Sequence, residues 1–205
     1  MLIIGFGHKA RQGKNTAAVV MLNASALDVR ARIYAYADAL RAEVKRAVNC
    51  AGGVEQLIKR GWIFGNDCSG KYLDTFKVTL PAWVVPEIGK PRTLLQWWGT
   101  DYRRAQDPDY WVKRMFETLD REQPDMALIT DVRFRNEADA IHKAGGYLVK
   151  VTRIGKPDVN VPQHPSETNL DGYAGWDYEI KVATLAEMHQ KSAAIYRKIA
   201  GKHGV

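Results

Sequence analysis

The stretch Gly7-His8-Lys9-Ala10-Arg11-Gln12-Gly13-Lys14-Asn15-Thr16 decides how the rest of this chain is read. The apolar run Leu2-Ile3-Ile4 precedes it, and Ala17-Ala18-Val19-Val20-Met21-Leu22, which reads as helix, follows. Strand, basic glycine-containing loop, Gly-Lys, helix is the layout of a phosphate-binding P-loop. Backbone N–H groups in such a loop and at the helix N-terminus point at an anion. Lys14 adds a mobile positive charge that can follow a phosphoryl group. These residues predict a bound nucleoside triphosphate, lined by Lys9, Ala10, Arg11, Gln12, Gly13, Lys14, Asn15 and Thr16. Two positions depart from the pattern. His8 stands five residues before Gly13, where glycine is usual. Asn15 replaces the hydroxyl residue that normally follows the lysine and holds Mg²⁺, so Asn15 through its carbonyl, or Thr16 in its place, is the expected metal contact. The plainer alternative is a basic surface turn ahead of an amphipathic helix.

The 205 residues suit one α/β domain with an inserted substructure, and 46% hydrophobic residues are enough for a sizeable core. No apolar run is long enough to span a bilayer, and the N-terminus lacks a signal-peptide pattern. A cytoplasmic setting without membrane association is expected. Cys50 and Cys68 match no metal spacing and read as free thiols of a reducing cytosol. The formal net charge of +7 suits either nucleic acid or a site holding several phosphates. The basic residues are scattered rather than blocked, so charge alone favours DNA only weakly.

Outward from the loop, strand and helix patterns alternate, which predicts a mainly parallel sheet. Strands are expected at Leu2–Phe6, Ala31–Ala35, Met126–Thr130, Tyr147–Thr152 and Asp177–Val182. Helices are expected at Asn15–Leu27, Asp38–Ala51, Thr93–Trp98, Tyr110–Glu122, Asn136–Ala144 and Leu185–Ile199. A less regular region begins at Gly52, and residues 62–92 read as loops and turns. Residues 52–110 are the expected insertion, and 153–176 a polar, proline-pinned loop of the kind that closes over a site.

Asp131 ends an apolar strand, on the edge where parallel sheets bind ligands. There it can hold Mg²⁺ or cap the next turn. Arg133 and Arg135 lie just beyond and can grip a phosphate bidentately, with Glu137 orienting one of them. Asp38 is either the N-cap of its helix or a carboxylate at the acceptor side, with Arg41 beside it. Gln96-Trp97-Trp98-Gly99-Thr100-Asp101-Tyr102-Arg103-Arg104 combines rings that can stack on a base with arginines that can hold its phosphate. Trp97, Trp98 and Trp111, taken singly, read as core. Arg153 opens the polar loop. In that loop His164 is better suited to shaping the chain than to acting as a base, and Ser166-Glu167 reads as the start of a short helix.

Taken together, GHKARQGKNTAA, YADALR, LLQWWGTDYRR with DPDYWV, LITDVRFRNEADAI, VTRIG and HPSETNLDGYAGWDYEI resemble one family, the deoxynucleoside monophosphate kinases of tailed phages. The likeness is weakest in residues 52–90. It implies a three-layer αβα P-loop fold with a monophosphate-binding region and a lid. The implied reaction moves the γ-phosphoryl group of ATP, with Mg²⁺, to a deoxynucleoside 5′-monophosphate. By position, Lys14 would hold donor phosphates and Asp131 would help place Mg²⁺. Asp38, Arg41, Arg104, Arg133 and Glu137 would serve the acceptor or the transferring group, Arg153 would act from the lid side, and Gln96 with Trp97 would contact the base. Two other functions stay open: a kinase acting on a hydroxymethylated base within DNA, and a nucleotide-binding protein without catalysis. Base choice and oligomeric state are not fixed by the sequence, which allows a homodimer.

Overall fold

Burial along the whole of β1 (Leu2–Gly7) is what a central strand of a parallel sheet requires. The computed structural model describes residues 1–60, 62–64, 75–77, 80–87, 91–155 and 164–203. In it β1 lies in the middle of a five-stranded, all-parallel sheet of order β2-β5-β1-β6-β7, with β2 at Ala31–Tyr34, β5 at Met126–Val132, β6 at Tyr147–Arg153 and β7 at Tyr178–Val182. A separate antiparallel pair, β3 (Trp62–Phe64) and β4 (Thr75–Lys77), sets Trp62 opposite Lys77. The helices are α1 (Lys14–Ala24), α2 (Tyr36–Ala51), α3 (Val54–Arg60), α4 (Arg92–Gln96), α5 (Tyr110–Glu122), α6 (Arg135–Lys143), α7 (Pro165–Thr168) and α8 (Leu185–His203). A π-helix at Trp97–Arg104 follows α4 directly.

The period of two along the strands builds three layers. Leu2, Ile4 and Phe6, with Leu128, Val149, Val151 and Ile180, form one core with Ala17, Ala18 and Met21 of α1 and Met188, Ile195 and Ile199 of α8. The opposite face carries α6, since a Cβ added at Gly5 would lie 2.6 Å from the Ile141 side chain and one at Gly146 would lie 2.8 Å from it. Helices on both faces of a parallel sheet make this an α/β fold, as the alternating pattern predicted.

The chain divides into two compact units, Met1–Tyr36 with Val112–Val205, and Ala37–Trp111. Residues 52–110 lie within the second. There the sequence is least legible. The supposed irregular region contains α3, whose Leu57 is fully buried. Seven residues are too few for helical periodicity to stand out. The loops expected over 62–92 contain β3 and β4, while residues 65–74, 78–79 and 88–90 lie outside the described residues. The helix expected to stop at Trp98 continues as the π-helix. A side chain at Gly99 would meet Leu40 at 2.9 Å, and the Gly99 carbonyl accepts a 2.8 Å bond from the Trp111 indole. Helix α2 starts at Tyr36, which puts Asp38 inside the first turn and corrects its reading as an N-cap. Cys50 is disulfide-bonded, which corrects the expectation of a free thiol; Cys68 lies outside the described residues.

Candidate active site

Helix α1 leaves β1 on one face of the sheet, and α6 leaves the adjacent β5 on the other. Neighbouring strands whose connections part in this way form a topological switch point, the crevice where parallel sheets bind ligands. The β1–α1 and β5–α6 loops therefore meet where the sequence placed its two strongest motifs. A register shift sharpens the meeting. Gly5 pairs with Ile129 but Gly7 pairs with Val132, so β5 has one residue more than β1 in this interval. Such bulges re-aim side chains beside functional sites; this one falls at Thr130-Asp131.

The β1–α1 loop turns through three left-handed residues, His8 (φ 87°), Arg11 (φ 59°) and Gly13 (φ 99°). His8 thus adopts a backbone conformation suited to the glycine it replaces, at a cost on the order of 1–3 kcal/mol. Gly13 is the N-cap of α1. It supplies no side-chain cap, and the first turn of α1 has no acidic residue. The helix N-terminus is therefore left electropositive and able to take an anion.

Lys14 is 7% exposed. Its ammonium folds back onto the loop, donating to the carbonyls of His8 at 3.0 Å and of Lys9. Burial, followed by the Arg133 guanidinium, pushes its pKa down to about 8, while Glu167 and Asp131 pull it upward. These four charged groups of the first unit form one electrostatic cluster, gathered from the start of α1, β5, the β5–α6 loop and α7. Asp131 accepts the backbone N–H of Tyr36 at 2.7 Å, tying the strand end to the start of α2.

Arg133 is held from two directions. Its backbone N–H donates to Glu137 at 2.8 Å, and Phe134 donates to the same oxygen at 3.1 Å. Its guanidinium donates to the Ser166 carbonyl at 3.1 Å and to the Glu167 carboxylate. Glu137 is 2% exposed and grips backbone amides at the start of α6. It positions Arg133 through the main chain, the orienting role expected of it. Arg135 is drawn aside to Asn169, donating from its backbone at 2.8 Å.

The segment carrying α7 lies along these loops. Lys9 donates to the Glu167 carbonyl at 3.1 Å and pairs with Asp171 at 2.6 Å. The His164 ring accepts from the Ser166 amide and caps α7, the shaping role expected of it. Gln12, 3% exposed, accepts the Arg153 backbone N–H at 2.7 Å, and Arg153 Cδ lies 4.0 Å from where a Gly13 Cβ would stand. Arg153 therefore flanks the loop from β6. Of the expected lid, residues 156–163 lie outside the described residues. Glu167 had no signal of its own in the sequence; only its place beside Pro165 and Ser166, at a helix start, marked it.

Among the described residues no group of three or more His, Cys, Asp or Glu side chains could hold a metal. Mg²⁺ takes one or two protein carboxylates when phosphates and water complete its shell. Asp131 is the carboxylate of the right kind. Asn15 and Thr16 offer oxygen atoms and line a groove of about 300 Å³ with Val19, Val20, Asn23 and His189.

The second unit gathers its charge around an anion. Glu43, 8% exposed, accepts from the Trp98 indole at 3.1 Å, from Arg103 at 3.0 Å and from the Tyr110 hydroxyl. The Arg103 guanidinium also lies over the Tyr102 and Tyr110 rings, at 5.2 and 4.8 Å. Trp97 is 6% exposed and stacks on Tyr102 with centroids 5.4 Å apart. Its ring is engaged in the core, which corrects its reading as a base contact. Gln96 is half-buried, and Arg104 donates to the Pro108 carbonyl at 3.0 Å. Asp38 and Arg41 pair with each other on the exposed side of α2.

No protein-family profile matches the chain. It is 35% identical over 99 residues to a protein of Acanthamoeba polyphaga mimivirus provisionally named a deoxynucleotide monophosphate kinase, a span of 42% of this chain and 50% of that one. It is 30% identical over 86 residues to the deoxynucleoside-5′-monophosphate kinase of Escherichia phage T5, covering 39% of this chain and 34% of the phage protein. The chain thus spans about half the length of one relative and a third of the other. Both are named as kinases of the kind that the motifs resemble.

Proposed function

We propose that this protein transfers the γ-phosphoryl group of ATP to a deoxynucleoside 5′-monophosphate. The observation that carries the reading is the convergence of Lys14, Asp131 and Arg133 at the switch point between β1 and β5. Phosphoryl transfer asks little of a protein beyond positioning and charge neutralisation, and this cluster is equipped for both. The amides of residues 9–16 and the Lys14 ammonium bind the donor phosphates. An incoming phosphate replaces the carbonyl partners of Lys14 and offsets the burial that lowers its pKa. Arg133 neutralises the transferring group. Asp131, with Asn15 or Thr16, would hold Mg²⁺, which would supply further neutralisation of the phosphates. Arg153 borders the donor site at Gly13. As the resemblance implies, Asp38, Arg41 and Arg104 serve the acceptor and Gln96 its base.

The test is ADP release from ATP and Mg²⁺ with each deoxynucleoside monophosphate in turn, and with hydroxymethylated duplex DNA alongside. Turnover with a monophosphate is expected and names the substrate. Turnover with DNA alone would move the acceptor to a polymer and overturn this reading. ATP binding without any turnover would leave a nucleotide-binding protein.

A further inference from the structure

One residue bridges the two loops that flank the switch point. The main-chain carbonyl of Glu167 is held by Lys9 of the β1–α1 loop at 3.1 Å, and its carboxylate pairs with Arg133 of the β5–α6 loop. The side chain is 8% exposed, against 28% for Arg133. A carboxylate so placed is expensive to bury without a cationic partner, and Arg133, half-buried beside it, supplies that partner. The segment that bears Glu167 is fixed at several further points. Lys9 pairs with Asp171, the Tyr173 hydroxyl donates to Asp139 at 3.0 Å, and Leu148 donates to Asp177 at 2.7 Å. The carboxylate is therefore a standing part of the cluster and not a surface group in transit.

We propose that Glu167 is the resident anion of this cation cluster, occupying toward Arg133 the charge position that a phosphoryl group takes, so that polyphosphate binding is a competition for that guanidinium. The idea rests on the reading of the cluster as a polyphosphate site. Carboxylate and phosphoryl oxygens are alternative acceptors for the same bidentate donor. While Glu167 holds Arg133, the cluster is partly neutralised and the half-buried guanidinium keeps an anionic partner. When a phosphate chain arrives, the guanidinium exchanges one anion for the other. Glu167 thereby weakens binding of any polyphosphate and sets Arg133 free only when a phosphate is present to receive it.

The experiment is calorimetric titration of inorganic tripolyphosphate, which has neither base nor acceptor, into the full chain. Glu167→Gln keeps the shape and removes the charge, and Glu167→Ala removes both, so agreement between them does not hang on the folding of one variant. Both are expected to bind tripolyphosphate about tenfold more tightly than the parent, equivalent to about 1.4 kcal/mol. Asp139→Asn, which deletes an acidic charge bonded to Tyr173, is expected to leave the affinity unchanged. Unchanged or weaker binding in the folded Glu167 variants overturns the proposal, as does an equal gain in Asp139→Asn, since net charge would then explain it. If the parent binds tripolyphosphate and turns over monophosphates while the Glu167 variants gain nothing, this proposal alone falls. If the parent binds no tripolyphosphate, the functional reading falls with it.

Discussion

Each unit of this molecule holds a buried charge, Lys14 in one and Glu43 in the other, and the two are surrounded differently. In the first, Lys14 is buried beside Arg133, with its ammonium turned onto loop carbonyls and its pKa lowered to about 8. In the second, Glu43 is buried among an indole, a guanidinium and a phenol that all donate to it. A buried anion surrounded by donors is complete and holds structure. A buried cation next to another cation is kept at a cost that a bound anion would relieve. The contrast is one between a satisfied buried charge and one that an anion would stabilise.

Four measurements test that contrast. The largest effect is expected from Lys14→Ala, which should reduce transfer by about 10³-fold. Its thermal stability should be no lower, because a charge held at a cost on the order of 3 kcal/mol is removed with the side chain. A variant that keeps most of its turnover would break the assignment of Lys14 to the phosphates. Next, Glu43→Ala should lower unfolding stability in denaturant by about 3 kcal/mol, since three donors lose a common acceptor. Its tripolyphosphate affinity should be unaltered; a fall in affinity would break the contrast. Asp131→Asn should cut turnover by about 10²-fold and ATP affinity by less, because the amide oxygen can still accept from Tyr36 while the charge proposed to hold Mg²⁺ is lost. Equal losses in both would leave it a structural residue.

The fourth is a pH series. Lys14 in the folded protein has its pKa below the ordinary lysine value of 10.5. As pH rises through about 8 the folded protein loses this charge while the unfolded chain keeps it. Tripolyphosphate affinity should therefore fall about tenfold between pH 8 and 9 and beyond, as the neutral amine takes over. Stability should move the other way over the same window, rising from pH 8 toward 10.5, because the unfolded state there binds more protons. The Lys14→Ala variant should show neither trend, and a parent-like trend in it would assign the titration to another group.

The legible parts of this protein were those whose signals are local. The Leu2–Gly7 strand, the turn that follows it and the Lys14 helix stand within about twenty residues, and periodicity with glycine placement is sufficient to read them. Asp131 and Arg133 were found because strand, carboxylate and arginine are adjacent in the chain. His8 had no such help: only the structure shows that it takes up a left-handed φ of 87°, so a departure in sequence leaves the turn intact. Glu167 and Glu43 were missed because their partners are remote, Arg133 being 34 residues from Glu167 and Arg103 being 60 from Glu43. Trp97, offered both as core and as a base contact, could be assigned only by its burial.

The sequence by itself determined the class of fold, the order of its main elements and the place of the Gly13-Lys14 turn, because hydrophobic period, glycine and lysine act over a few residues. Tertiary structure alone decided the strand order that sets β5 beside β1, the bulge at Asp131, the π-helix and the pairing of Arg133 with Glu167. Each of these depends on contacts between distant segments. Their energy comes from burial and charge in three dimensions, and no local pattern encodes that.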